Sequence, residues 1–139
     1  MTDFSRRVHG LYFDKDYNCA RTMLICLCES RGIGLAQQTL DAAIGMHGAG
    51  RFRAQCGLVE GTLMALGVCG TAQGLAPKEI SALCFAFAGD FTRRFGSLIC
   101  RDLRPGGFQP SDPPHACEPL TCAAVAFAAA FLEAKLPRR

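Results

Sequence analysis

No stretch of this 139-residue chain is both apolar and long enough to cross a bilayer. The longest strongly apolar run without a charge, Pro119–Leu132, is mostly alanine and falls short of the roughly 20 residues a span requires. It reads as a buried core helix. Gly61–Pro77 is also free of charge but is broken by glycines, threonines and Gln73. Met1–Asn18 carries Arg6, Arg7, Asp14, Lys15 and Asp16 and no apolar segment, so a secretory leader is not expected and a cytoplasmic protein is. An excess of one charge sign is lacking too: the net charge is +3, too small to announce a nucleic-acid or membrane-surface partner. With 50% hydrophobic and 19% charged residues, the chain has enough apolar side chains for a packed core. Internal repeats, low-complexity tracts and sustained period-two alternation are all absent, which excludes repeat arrays and sheet-based folds.

Helical period is present throughout. Ile80, Leu83, Cys84, Phe87, Ala88, Phe91, Phe95 and Leu98 follow the i, i+3, i+4, i+7 rule, with Pro77 near the start and Gly96 near the end. Asn18 is a natural cap for a helix reaching about Ser30 and closed by Gly32. A third helix is expected over about Arg53–Val68, ending at Gly70, with Gly57 and Gly61 one turn apart where another backbone can approach. A fourth is expected over about Pro114–Lys135, begun by Asp112, Pro113 and Pro114. Shorter helices are expected at 3–12, 35–45 and 98–103. Gly45–Gly50 is a glycine-rich loop without phosphate-loop spacing, and Arg104–Pro114 is an extended, proline-rich connector. The expected architecture is a single all-α domain over 1–139, a helical bundle of about five to seven helices.

The 9 cysteines are more than such a core needs, and an odd number cannot all pair within one chain. Reducing conditions disfavour a disulfide framework, which leaves metal binding or redox chemistry. Cys26, Cys28, Cys69, Cys84 and Cys122 stand among Leu, Ala, Ile, Val and Phe and read as small hydrophobic core residues. Cys26 and Cys28, two apart on a helix, point to different sides and cannot easily pair. Cys19, Cys56, Cys100 and Cys117 differ, because each falls near the start of an expected helix. Free N–H groups and the positive end of the helix dipole stabilise a thiolate there. Arg21, Arg51, Arg53 and Arg101 stand near three of them in sequence. The long intervals between the four match no zinc-ribbon or ferredoxin pattern, so a site would have to be assembled from four helices.

Those residues carry a family resemblance. Tyr17-Asn18-Cys19-Ala20, Cys56-Gly57-Leu58-Val59-Glu60-Gly61, Phe95 through Leu103 around Cys100, and then Cys117 resemble the C-GCAxxG-C-C family, bacterial and archaeal proteins described as redox-active with four signature cysteines. The resemblance covers essentially the whole chain and implies that Cys19, Cys56, Cys100 and Cys117 are the signature set. One departure is visible: Leu58 stands where the family motif has alanine. The family also resembles a domain of split-Soret cytochromes associated with an iron–sulfur cluster. The chain has no C-x-x-C-H, so haem attachment is not implied.

Three uses of the four thiols follow. They could ligate an iron–sulfur cluster for electron transfer; they could act as a metal-free thiol–disulfide oxidoreductase with Cys56 attacking and Cys19 or Cys100 resolving; or they could hold a structural zinc ion without catalysis. All four are expected to meet at one end of the bundle, with Cys26 and Cys84 in the apolar interior. His115 and His47 are the further candidates, His115 reading mainly as an exposed residue of the connector, and His9 reads as surface. No carboxylate pair and no nucleophile-elbow serine supports acid–base or hydrolase chemistry. The redox partner is not legible; four short apolar helices are compatible with a homodimer.

Overall fold

The computed structural model describes residues 4–104 and 107–136. Asp3 of the expected first helix, and Pro105 and Gly106 of the connector, lie outside the described residues. The chain forms α1 (Phe4–Phe13), α2 (Cys19–Ser30), α3 (Gln37–Ala42), α4 (Gly48–Arg51), α5 (Gly57–Ala72), α6 (Pro77–Phe95), a 3-10 turn (Cys100–Leu103) and α7 (Glu118–Lys135). Among the described residues the only extended pairing is an isolated antiparallel bridge between Gln55 and Ile99. The class is all-α, as the periodicity requires.

Local chemistry explains the best-defined ends. Asn18 caps α2 by accepting the Arg21 N–H at 2.9 Å. In α6, Pro77 sits in the first turn, the Glu79 carboxylate accepts the Ala76 N–H at 3.0 Å, and Gly96 ends the helix in the left-handed conformation.

Two expected boundaries are corrected. α5 starts at Gly57 rather than Arg53, because Arg53 is left-handed and Gln55 is committed to the bridge with Ile99. α7 starts at Glu118 rather than Pro114, because His115 has a positive φ. The Asp112 carboxylate serves Arg104 and the Gln109 N–H instead of a helix.

Packing then sets helix direction. Gly57 lies against Cys19 and Ala20, Gly61 against Ala20 and Met23, and further along Cys28 meets Cys69. Contacts that advance together along both chains mean α2 and α5 run parallel. At Gly61 the approach is closest: a β-carbon there would stand 2.4 Å from the Ala20 carbonyl oxygen, so only glycine fits. α7 runs the same way. Its start at Cys117 is beside Cys19, and at its far end the Leu132 and Leu136 carbonyls accept hydrogen bonds from Arg31, just past α2. α1 lies antiparallel to α2, with Arg7 on Glu29 and Tyr12 on Cys19.

Parallel helices need a return path. Residues 31–56, with α3 and α4, provide it between α2 and α5; α6 carries the chain back from α5 toward α7. Met23, Leu24, Leu27, Leu58 and Leu66 fill the centre, fully buried, at roughly 1.5–3 kcal/mol each. Phe87 and Phe91 pack on Phe127. Phe87 also packs on Phe131.

Candidate thiol site

Because α2, α5 and α7 run parallel, their N-termini emerge at one end. Cys19 is the first residue of α2, Cys56 caps α5, Cys117 caps α7, and Cys100 opens the 3-10 turn. The bridge brings Cys100 in: the Cys56 N–H donates to the Leu98 carbonyl at 2.8 Å and the Cys100 N–H to the Ala54 carbonyl at 2.6 Å. In that short antiparallel ladder, positions alternating about Gln55 and Ile99 project to one face, so Cys56 and Cys100 share a side. All four cysteines line a single cavity of about 480 Å³.

The thiols are not equivalent. Cys19 and Cys117 stand close enough for each thiol to shift the ionisation of the other, and the Arg104 guanidinium lies 3.5 Å from the Cys117 sulfur. The neighbouring Cys19 thiol, and then Arg104, hold the Cys117 thiol down to about 6, against burial. Cys19 moves the opposite way. The neighbouring Cys117 and burial away from water raise it well above an ordinary thiol, although the Tyr12 hydroxyl donates to its sulfur at 3.3 Å. Tyr12 is itself fixed 2.7 Å from Thr121 on α7. Both shifts favour the thiolate at Cys117 and the thiol at Cys19.

Burial pushes Cys56 up to about 12 in spite of the Leu58 and Val59 N–H groups directed at its sulfur. That is the reverse of the attacking thiolate expected from its glycine and arginine surroundings. Cys100 is also raised, by burial and then the charge of Cys117, with Arg104 and Arg53 opposing.

Arg104 went unnoticed in sequence, because it stands thirteen positions before Cys117 in a proline-rich connector and reaches it only through the fold. The Phe108 ring holds it from the side, with the Arg104 guanidinium at 4.3 Å and that of Arg53 at 3.9 Å from the ring centre. His47 does come to the cavity: Asn18 binds the Ala43 and Ile44 carbonyls and lies 3.1 Å from the His47 ring, drawing the glycine loop over the start of α2. Burial and Arg51 lower its pKa, keeping the ring neutral. His115 is not simply exposed; it stacks on Tyr12 at 4.5 Å and pairs with Asp16 at 2.8 Å. His9 is exposed, as expected, and meets Glu118.

Of the remaining cysteines, Cys26, Cys28 and Cys69 are buried while Cys84 and Cys122 are half-buried. One contact was missed: the Cys28 and Cys69 sulfurs lie 4.0 Å apart at the end of the α2–α5 pair away from the cavity. Among the described residues no three His, Cys, Asp or Glu side chains are gathered tightly enough to hold a single metal ion. No helix among them is long and apolar enough to cross a membrane.

A family model described as "Putative redox-active protein (C_GCAxxG_C_C)" matches residues 17–131, which include every element from α2 to most of α7 and all four cavity cysteines. Comparison with curated proteins and with solved structures finds no match.

Proposed function

This chain belongs to the C_GCAxxG_C_C family, and on that premise we propose that it is a dithiol redox protein in which Cys117 attacks and Cys19 resolves. One observation carries the reading: two neighbouring thiols on one cavity, at the starts of α2 and α7, one of them 3.5 Å from a guanidinium. That arrangement provides a thiolate at neutral pH and a second thiol within reach of it.

The chemistry balances with a disulfide as the co-reactant. The Cys117 thiolate attacks one sulfur of the disulfide, the S–S bond breaks, and one half leaves as a thiolate. Cys19 gives up its proton and attacks the Cys117 sulfur, the second half leaves, and a Cys19–Cys117 disulfide remains. The substrate gains two electrons and the protein loses two; a dithiol donor reverses the change. Tyr12, hydrogen-bonded to Cys19 and fixed by Thr121, orients the resolving sulfur. Cys56 and Cys100 stay protonated and frame the cavity.

A second reading draws on the same cavity. Four thiols, three helix N-termini and neighbouring arginines suit an anionic iron–sulfur cluster, and a two-iron cluster takes two protein sulfurs per iron, which fits a Cys19–Cys117 pair beside a Cys56–Cys100 pair. When bound, such a cluster supplies one-electron transfer. Zinc asks for four sulfurs about 2.3 Å from one point, and the spacing of the described side chains lends that reading no support.

The deciding experiment is anaerobic purification with iron, sulfide and zinc analysis, followed by a glutathione redox titration of metal-free protein read by thiol trapping and peptide mass spectrometry. A Cys19–Cys117 disulfide that titrates as one two-electron couple supports the dithiol reading. Failure of that pair to form at any potential overturns it. Iron and sulfide lost on changing any one of the four cysteines to serine would establish the cluster instead.

A further inference from the structure

If Cys117 exchanges with a disulfide, the cavity around it restricts which disulfide can enter, and the inference that follows rests on that reading. Among the described residues, three guanidinium groups line the space, from Arg51, Arg53 and Arg104, against a single carboxylate, Asp112. Asp112 is already committed to Arg104 at 2.6 Å, and Arg104 to Cys117. Arg51 and Arg53 form no ion pair among the described residues. Burial and Arg51 lower the pKa of His47, so it adds no further positive charge to theirs.

The backbone places these two arginines at a cost. Arg51 and Arg53 hold φ of 70° and 65°, and neighbouring Ala49 holds 57°, left-handed values that disfavour any side chain. Arg53 is further fixed by its face-on contact with Phe108, beside a second cation on the same ring. Like charges gathered on a strained loop, with no counter-ion among the described residues, at the mouth of a cavity with a nucleophile, suit a ligand that brings negative charge. Low-dielectric walls and three helix N-termini focus that field inward. A volume of about 480 Å³ is the size of a small-molecule pocket.

We propose that the cavity admits a small disulfide bearing carboxylates, with Arg51 and Arg53 binding its carboxylates while Cys117 meets its sulfur.

Two assays separate this inference from the reading beneath it. In the first, Cys117 in reduced, metal-free protein is alkylated with iodoacetate, an anion, or with neutral iodoacetamide, and labelling is followed by peptide mass spectrometry. The ratio of iodoacetate to iodoacetamide rates is expected to fall about tenfold between low ionic strength and about 1 M salt, where the screening length is only about 3 Å. Arg51→Ala with Arg53→Ala should lower it similarly at low salt, and Arg53→Glu further still. A ratio unmoved by salt overturns the inference, and the salt series on unaltered protein decides the matter even where a variant does not fold.

In the second assay, oxidised glutathione is compared with cystamine, a cationic disulfide. Preference for oxidised glutathione, reversed by Arg53→Glu, supports the substrate class. Equal rates with both overturn it while leaving the dithiol reading intact. An iodoacetate preference without exchange toward either disulfide keeps the anion site and overturns the dithiol reading.

Discussion

A thiol's usefulness depends on its surroundings, and four cysteines within one cavity have sharply different ones. Cys117 has a second thiol, Cys19, and a cation, Arg104, beside it; Cys56 has two N–H groups but is almost closed off from water. Alkylation of Cys117 should therefore show an inflection near pH 6, with Cys56 labelled only in strongly alkaline solution. Arg104→Met should raise the Cys117 inflection by about one to two units, since it removes a charge next to the sulfur and leaves Asp112 behind. An unchanged profile would mean that the guanidinium is not felt at the sulfur. The same asymmetry has a signature in stability. Between about pH 6 and 9 the folded chain has lost the Cys117 proton while the unfolded chain keeps it, so stability should rise across that range. Above about 9 the unfolded thiols ionise, whereas Cys19, Cys56 and Cys100 stay protonated when folded, and stability should fall again. Urea denaturation of reduced protein at a series of pH values checks both limbs, and Cys117→Ser should flatten the rising one.

At the scale of elements, the α2–α5 contact depends on missing side chains. Gly61→Ala should cost about 3 kcal/mol or more, because the new methyl meets a backbone carbonyl that cannot step aside. Gly67→Ala lies on the same helix with nothing within 4 Å, and should stabilise by about 0.5–1 kcal/mol. Thermal unfolding of the two variants gives opposite shifts if the packing is as described. The contrast also marks what could be read in sequence. Asn18, Pro77 and Gly96 announced their helix ends because each acts on its own few neighbours, and the phenylalanine stripe of α6 declared its buried face by period alone. Arg53 and Pro114 misled for the converse reason. The bridge joining Gln55 to Ile99, and the reach of Asp112 back to Arg104, are set by partners distant in the chain, and no local pattern encodes them. The helix-start cysteines were legible as a set, because capping geometry is local. The ranking among them was not, since it depends on Arg104 and on how deeply each sulfur lies. The Cys28–Cys69 contact escaped because nothing in either helix alone says that the two run parallel.

For the molecule as a whole, three parallel helices gather their positive ends at the cavity, each equivalent to roughly half a charge, and leave carbonyl ends opposite. Arg31 answers that imbalance: its nearly buried guanidinium binds the Leu132 and Leu136 carbonyls and meets Glu133. Arg31→Met should cost about 2–3 kcal/mol, through the loss of charged hydrogen bonds at a buried place. The Cys117 inflection should stay near pH 6 in the folded variant, since the lock and the thiols occupy opposite ends. Movement of both together would mean the two ends are mechanically linked. Chain order adds a matter of timing. A ribosome delivers Cys19, Cys56 and Cys100 before α7, at about 5–20 residues per second. Until α7 docks, Cys19 lacks its neighbouring thiol and the cavity lacks a wall, so a growing chain carries only ordinary thiols. Reactivity is acquired with α7, and a chain that has not yet docked it has none to misdirect.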